Sequence, residues 1–179
     1  MYNACVLANL DVLEVHKHTL MVKYVELGLD AMVSEGYADL QFKNSSDYPI
    51  YVRTYLNGDR CYVEIYGKTI PDDVTVKRTA EVIKTLGHNG DKIIPDTNGD
   101  YSNLITYKGE YFRLKTPTYG YEVKAYKEYY KNGELIKKEE IRHETYQPVD
   151  GVVMEGTSDV PEGYTIPKSD VEIIPKHEI

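Results

Sequence analysis

The stretch HKHTLMVKYVELGLDAMVSEGYADLQFKN, residues 16–44, decides how the rest of the chain is interpreted. In its second half, apolar residues such as Leu40 and Phe42 alternate with polar ones. An alternation with a period of two is typical of a half-buried β-strand. In its first half, His16 and His18 stand two residues apart, so their side chains would share one face of an extended segment.

A β-hairpin is predicted directly after this stretch. The runs Ile50–Leu56 and Arg60–Tyr66 flank Asn57-Gly58, a dipeptide that favours a type I′ turn because both central residues of that turn need positive φ. A two-residue loop at this dipeptide would pair Thr54 with Cys61 and would place the apolar side chains of both strands on one face. With the strand that precedes it, the hairpin makes a predicted three-stranded antiparallel meander.

The N-terminal residues 2–15 combine good helix formers with apolar residues, and they predict one short helix packed on the meander. No Ser, Thr, Asp or Asn stands before the first turn, so the usual N-cap signal is missing. Cys5 and Cys61 are too few for a disulfide framework. We interpret both as packing residues, with a single disulfide between them as the open alternative.

The second half of the chain predicts further β-structure. Residues 72–86 alternate as a strand, and a helix over Thr79–Leu86 is the competing interpretation. The dipeptide Asn132-Gly133 lies between Tyr121–Tyr130 and Leu135–Ile141, which predicts a second hairpin with a two-residue loop. The fold class is therefore mainly β, a β-rich α+β chain.

Irregular segments separate and follow these strands. Residues 87–119 are rich in Gly, Asn, Asp and Pro and predict a long loop, with short strands at Leu104–Tyr107 and Tyr111–Leu114. Val152–Glu155 predicts one more short strand. Residues 158–179 contain three prolines and no periodicity, which indicates a tail.

Composition excludes some classes of function. The formal net charge is −8, which makes a nucleic-acid backbone an unfavourable partner. No run approaches the roughly 20 apolar residues of a membrane-spanning helix, and no signal peptide is visible at the start of the sequence. Tyrosine is unusually abundant, with 18 Tyr against two Phe and no Trp, which suits strands whose side chains lie at the boundary with water.

Two weak metal-binding patterns are present. His16 and His18 could bind one metal ion together, although a solvated or packing pair is the ordinary alternative. The segment Asp96-x-Asn98-x-Asp100 opens like a calcium loop, but Tyr101 stands where that loop needs Gly, and Tyr107 stands where it needs a bidentate Glu. We therefore expect neither a metal nor any other cofactor.

Residues 1–67 resemble the VanW-like family, which is found beside vancomycin-resistance genes and in Gram-positive envelope proteins. The matching positions are Tyr2-Asn3-Ala4, His18, Val22–Tyr24, Gly28, Asp30-Ala31, Gly36, Asp39-Leu40, Phe42-Lys43-Asn44 and Asp47-Tyr48-Pro49-Ile50. In that family a Gly-rich segment with a Cys-Gln pair lies just before the Tyr-Asn-Ala position. The sequence has no such segment before Tyr2, so the resemblance implies the C-terminal part of a VanW-like domain.

The same resemblance implies candidate catalytic residues. The family cysteine, then His18, then Asp30 would give the order of a thiol nucleophile, its base and the acid that orients the base. Because the cysteine segment is absent here, we expect no acyl-transfer activity from this chain.

Residues 74–157 resemble a G5 domain. The matching features are Gly120, the turn Tyr130-Lys131-Asn132-Gly133 and the closing Glu155-Gly156-Thr157. The resemblance implies contact with polymers that contain N-acetylglucosamine. Four strand tyrosines could stack on sugar rings or could simply pack against their neighbours: Tyr121, Tyr126, Tyr129 and Tyr130.

We therefore predict two domains, residues 1–67 and 74–157, joined by a linker at 68–73 and followed by a tail. The predicted function is a non-catalytic, extracellular or envelope-associated module that contacts peptidoglycan or another polysaccharide. One alternative is a fragment of a cysteine-dependent enzyme that modifies peptidoglycan. The other is a structural spacer that forms homo-oligomers through unpaired edge strands.

Overall fold

The computed structural model describes residues 1–177 and is mainly β, as the sequence predicts. About 46% of the residues lie in strands and 3% in a helix. Two compact units divide the chain: residues 1–83 with 122–146, and residues 84–121 with the chain from 147 onward. This division does not test the predicted domain boundaries at 67 and 74, which stay a prediction.

The first unit begins with a helix that is shorter than predicted. Helix α1 spans Tyr2–Leu7, and strand β1 already begins at Asp11, in Asp11–Glu14. The prediction of a helix over residues 2–15 is therefore wrong for its second half. Asn9 takes a left-handed conformation with a φ of 56°, and this residue turns the chain out of the helix.

The predicted three-stranded meander is also wrong. Strand β2 is only Gln41–Lys43, and it pairs antiparallel with β1, with Val12 opposite Phe42. It does not pair with the hairpin that follows. The physical reason is that alternation fixes which face of a strand is buried but does not specify the partner strand. In addition, the residues of β1 were predicted to belong to the helix, so this partner strand was not considered.

The predicted first hairpin is present with a shifted register. Strands β3, Tyr51–Asn57, and β4, Arg60–Tyr66, enclose the loop Gly58-Asp59, so Thr54 lies opposite Val63 and not Cys61. Gly58 has a φ of 62°, whereas Asn57 remains in the strand. Glycine at the first loop position is the pattern of a type II′ turn. The shift amounts to two residues, so every side chain keeps its predicted face.

A three-stranded sheet with β8 in the centre follows: β5, Val74–Leu86; β8, Gly120–Lys131; and β9, Glu134–Tyr146. The strand interpretation of residues 72–86 is confirmed and the helix alternative is excluded. The second predicted hairpin is confirmed as well, because β8 and β9 enclose only Asn132 and Gly133. Both loop residues have positive φ, 52° and 84°, as a type I′ turn requires.

The core of the first unit joins α1, the 25–31 segment and this sheet. Its most buried members are Tyr2, Val6, Leu29 and Ala125. Partly buried apolar residues of β1, β5 and β9 pack against them: Val12, Ala80 and Ile141. The segment that carries Leu29 is thereby fixed without regular secondary structure of its own.

The second unit is built on another three-stranded sheet. Its strands are β6, Asp91–Pro95; β7, Tyr111–Lys115; and β10, Gly151–Glu155. The central strand β10 pairs in parallel with β6 and antiparallel with β7. Strand β6 was not predicted, and residues 104–107 form no strand. The sheet of the second unit is therefore mixed, with one parallel and one antiparallel pair.

The C-terminal segment of the second unit is held by an ion pair between Arg113 and the buried carboxylate of Asp91. Arg113 contacts both carboxylate oxygens of Asp91, with N–O distances of 2.6 and 2.7 Å. The backbone N–H of Ile174 donates to the same carboxylate at 2.7 Å, and Arg113 donates to the carbonyl of Glu172 at 2.8 Å. Part of the predicted tail is therefore bound to the sheet.

No helix among residues 1–177 is long and apolar enough to cross a membrane.

The core assignment predicts unequal effects for two leucines. Leu29→Ala removes a fully buried side chain and should lower the free energy of unfolding by about 2–5 kcal/mol. Leu13→Ala removes an exposed leucine of β1 and should change it by less than about 0.5 kcal/mol. Urea denaturation of both variants measures the difference, and equal losses would contradict the assignment.

Candidate functional site

Asp30 is the centre of a buried polar cluster in the first unit. The residue is only 2% exposed. One carboxylate oxygen, Oδ2, accepts the backbone N–H of His18 at 2.7 Å and lies 3.0 Å from its Nδ1. The other, Oδ1, accepts a short hydrogen bond from the hydroxyl of Tyr146. The structure therefore brings together His18 and Asp30, the two catalytic candidates that the resemblance implied.

Gly28 and Arg142 fix this cluster in place. The backbone N–H of Gly28 donates to the Tyr146 hydroxyl at 2.9 Å, and Gly28 has a φ of 81°. A Cβ at this position would lie 3.2 Å from Val123, so glycine satisfies both the conformation and the close approach. Arg142 donates to the backbone carbonyl of Asp30. Sequence reasoning missed Tyr146 and Arg142 because they lie more than 110 positions from Asp30.

The hydrogen bonds keep Asp30 ionised in spite of its burial. Burial by itself raises the pKa of this carboxyl, but the hydrogen bonds from Tyr146 and His18 outweigh it and hold the pKa below its usual value. Burial and the neighbouring Asp30 carboxylate raise the pKa of the Tyr146 hydroxyl. Tyr146 therefore remains a hydrogen-bond donor at neutral pH.

The second ring nitrogen of His18 points to a different partner. The Tyr24 hydroxyl lies 3.2 Å from His18 Nε2. The two rings meet edge to face with their centroids 6.1 Å apart. His18 is half-buried, whereas Tyr24 is 76% exposed. The order Asp30, His18, Tyr24 thus leads from the buried carboxylate to the surface.

His16 is not part of this cluster. Its Nε2 lies 2.8 Å from Glu14 Oε1, so the two histidines have separate acidic partners. No group of three or more His, Cys, Asp or Glu side chains within residues 1–177 is arranged to hold a metal ion. In the calcium-like loop, the buried Asp96 carboxylate accepts the backbone N–H groups of Asp100 and Tyr101, at 3.0 and 2.9 Å. These hydrogen bonds show that the calcium-like sequence at residues 96–101 forms a turn closed by the Asp96 side chain.

The four predicted sugar-stacking tyrosines are all half-buried. Three of them have a lysine ammonium near the ring face, at 4.0 to 5.2 Å from the centroid: Tyr126 with Lys138, Tyr130 with Lys77, and Tyr129 with Lys137. Their hydroxyls bond to Glu81, Glu128, and Asn9 with Glu139, respectively. Tyr121 lies near the start of β8. These contacts favour packing and leave the three rings little free face.

A more open group of tyrosines lies on the β3–β4 hairpin. Two cross-strand pairs, Tyr51 with Tyr66 and Tyr55 with Tyr62, share one face of the hairpin, which we call the tyrosine face. The Tyr55 and Tyr62 rings stack at 5.1 Å and are nearly parallel, at 6°. Tyr51 and Tyr66 are exposed. Sequence analysis paired these residues in the wrong register, which hid the two aromatic pairs.

Charged groups stand between the two tyrosine pairs. Arg53 lies opposite Glu64, and its guanidinium lies 4.7 Å from the centroid of the Tyr55 ring. Glu64 accepts hydrogen bonds from the hydroxyls of Tyr55 and Tyr66, at 3.0 and 2.8 Å. The hydrogen bond from the Tyr66 hydroxyl lowers the pKa of Glu64, and burial raises it. The hydrogen bond outweighs burial, so the pKa of Glu64 lies below its usual value. The tyrosine face therefore combines aromatic surface with donors and acceptors.

The two cysteines are free and differ in environment. Cys5 is buried in α1, and Cys61 is exposed on β4. The packing interpretation is confirmed for Cys5 and wrong for Cys61. Residue 61 lies opposite Leu56, a leucine that is itself exposed near the loop end of the hairpin.

The Asp30 cluster predicts a pH-dependent contribution to stability. Because the folded-state pKa of Asp30 is lowered, its contribution is present above the unfolded value of about 4 and is lost as the pH falls through the folded value. The stability difference between the wild type and Asp30→Asn should therefore shrink between pH 5 and pH 2.

Urea denaturation at a series of pH values measures this difference. Asp59→Asn, which replaces an exposed carboxylate in the β3–β4 loop, is the matched control and should show little change with pH. A gap between the wild type and Asp30→Asn that stays constant from pH 7 to pH 2 would contradict the assignment.

Comparisons with known proteins agree with the two resemblances. Residues 1–66 match the family model of the VanW-like proteins, and residues 106–158 match that of the G5 domain. The uncharacterized protein YoaR of Bacillus subtilis (strain 168) is 33% identical over 70 residues. That match covers 39% of this chain and 23% of YoaR, so the chain corresponds to less than a quarter of its relative's length.

Two solved G5 structures are also similar to part of the chain. The G5 domain of an IgA1 protease is 15% identical, with a TM-score of 0.29, over 49% of this chain and 96% of that domain. HP0197-G5 is 12% identical, with a TM-score of 0.22, over 48% of this chain and all of that structure. The chain thus carries a VanW-like match at residues 1–66 and, C-terminal to it, a G5 match at residues 106–158.

Proposed function

We propose that the chain is a cell-envelope module that binds wall glycan, either peptidoglycan or another polymer containing N-acetylglucosamine. The observation that carries the proposal is the tyrosine face of the β3–β4 hairpin, where two aromatic pairs flank the Arg53–Glu64 pair. The VanW-like and G5 families occur in envelope proteins of Gram-positive bacteria, which supports the location and the class of partner.

The chemistry of the tyrosine face suits a sugar polymer. The apolar C–H face of a pyranose ring packs on an aromatic ring, and its hydroxyls need hydrogen-bond partners close by. Tyr51 and Tyr55 are four residues apart on one strand, so the two pairs lie about 13 Å apart at about 3.3 Å per residue. Several consecutive sugar rings can span this distance, with Arg53 and Glu64 in reach of the hydroxyls between them.

Exposure distinguishes this surface from the tyrosines on β8. An aromatic ring contributes binding energy when a partner buries it, and rings at the centre of an interface commonly contribute more than 1 kcal/mol. Tyr51 and Tyr66 are exposed, whereas Tyr129 and Tyr130 are half-buried and each has a lysine ammonium near its ring face. A ligand role for the tyrosines on β8 remains a prediction from the resemblance.

A cell-wall pull-down tests the proposal. The wild-type chain should sediment with purified Gram-positive cell wall, and Tyr51→Ala combined with Tyr66→Ala should weaken the retention about tenfold or more. Both residues are exposed, so the variant should fold normally. Tyr37→Ala, which removes an even more exposed tyrosine elsewhere in the first unit, is the matched control and should bind like the wild type.

Variants of the tyrosines on β8 separate the two surfaces. If Tyr129→Ala with Tyr130→Ala abolishes retention and the Tyr51/Tyr66 variant does not, the tyrosine face is the wrong surface. If the wild type does not bind cell wall at all, the glycan-binding proposal fails and the structural spacer becomes the favoured function.

A competition experiment tests the class of ligand. Soluble fragments, made by digesting the wall with a glycan-cleaving muramidase, should release the bound chain when they are added as competitor.

A further inference from the structure

We propose that Asp30, His18 and Tyr24 form a reactive site in which the Tyr24 hydroxyl accepts an acyl group from an activated carboxylic ester or thioester. This site is separate from the tyrosine face and does not depend on glycan binding. It also differs from the expectation that the chain has no acyl-transfer activity. The nucleophile proposed here belongs to the chain itself.

The contact with Asp30 fixes the tautomer of His18. An ionised carboxylate has no proton to donate, so the contact between Asp30 and His18 Nδ1 at 3.0 Å requires the ring proton on Nδ1. In the neutral imidazole, Nε2 then carries the lone pair. The backbone N–H of His18 is bound to the same oxygen at 2.7 Å, which also fixes the position of the residue.

Tyr24 lies at the other ring nitrogen of His18. Its hydroxyl donates to Nε2 at 3.2 Å, so the acceptor lone pair of His18 faces the one proton that must leave for Tyr24 to become nucleophilic. The edge-to-face contact of the rings holds this arrangement. Because Tyr24 is 76% exposed, its oxygen remains accessible to an incoming electrophile.

The surface beside Tyr24 carries charged side chains. A concavity of about 410 Å³ is lined by Lys23, Tyr24, Val25, Glu26 and Arg78. Arg78 lies 3.6 Å from Glu26, and Lys23 adds a second cation on this side. The lining therefore carries two cations and one carboxylate, and this net positive charge favours an acyl donor that carries a negative charge.

The proposed reaction transfers one acyl group and balances without a further reagent. The Tyr24 oxygen forms a bond to the acyl carbon while its proton moves to His18 Nε2. The bond between that carbon and the leaving oxygen or sulfur then breaks, and the proton passes from Nε2 to the leaving group. The products are an aryl ester on Tyr24 and a free alcohol, phenol or thiol. Asp30 does not touch the substrate and acts as a positioning residue.

The competing explanation is an ordinary surface hydrogen bond between a tyrosine and a histidine. In that case Tyr24 would react no faster than another tyrosine of the same exposure. Tyr37 offers that comparison within the same chain, because it is also 76% exposed and stands outside the Asp30 cluster. The relative reactivity of these two residues therefore decides between the two explanations.

The experiment treats the whole chain with 4-nitrophenyl acetate and maps acetylated residues by peptide mass spectrometry over time. We expect Tyr24 to be acetylated about 100-fold faster than Tyr37, the low end of what a positioned base contributes. His18→Gln should reduce Tyr24 to the rate of Tyr37. His16→Gln, which removes the neighbouring histidine and leaves the cluster intact, should leave the Tyr24 rate unchanged.

Two more variants test the remaining parts of the site. Asp30→Asn should slow Tyr24 acetylation, and the ¹⁵N spectrum of the His18 ring should change from the Nδ1-protonated form to a mixture of tautomers. This spectral change separates a positioning role from general loss of structure. Arg78→Gln should slow acylation by the anionic ester mono-4-nitrophenyl glutarate more than acylation by the neutral acetate.

Equal rates at Tyr24 and Tyr37 in the wild type would overturn the proposal, as would a Tyr24 rate that His18→Gln does not change. If Asp30→Asn fails to fold, as judged by circular dichroism, the two histidine variants still decide the outcome. Equal effects of Arg78→Gln on the two esters would overturn the part of the proposal that concerns the charge of the donor.

Discussion

A buried carboxylate needs compensation, and Asp30 receives it from two parts of the chain that are far apart in sequence. The backbone and ring of His18 bind one oxygen, and the hydroxyl of Tyr146 binds the other. Tyr146 in turn accepts the N–H of Gly28, and Arg142 binds the carbonyl of Asp30 itself. Hydrogen bonds from Tyr146 and Arg142 thus link the irregular segment from His18 to Asp30 to strand β9. Leu29 packs into the core beside these hydrogen bonds.

This arrangement gives one residue a structural and a chemical role. Removing either hydrogen-bond donor would leave a buried charge poorly compensated, which is costly in a protein interior. The same carboxylate fixes the proton of His18 on Nδ1 and leaves Nε2 facing Tyr24. The tyrosine face of the β3–β4 hairpin, by contrast, is built from cross-strand pairs on a surface and does not rely on the cluster.

Local signals in the sequence predicted part of this structure. The dipeptide Asn132-Gly133 identified the β8–β9 hairpin because both residues must take positive φ. Asn57-Gly58 identified the other hairpin but not its register, because Gly58 occupies the first loop position and Asn57 still belongs to the strand. The spacing of His16 and His18 drew attention to His18, but only the resemblance to VanW-like proteins connected His18 with Asp30. Tyr146 was out of reach because it meets Asp30 across 116 positions, and no local pattern encodes such a contact.

The central claim is that Asp30 and Tyr146 act as one unit, and a double-mutant cycle of unfolding free energies tests it most directly. Asp30→Asn and Tyr146→Phe each remove one partner of the hydrogen bond, and the double variant removes both. The account predicts a coupling energy of about 1–3 kcal/mol between the two sites at pH 7. Losses that add to within about 0.5 kcal/mol would show that the two side chains contribute independently and would contradict it.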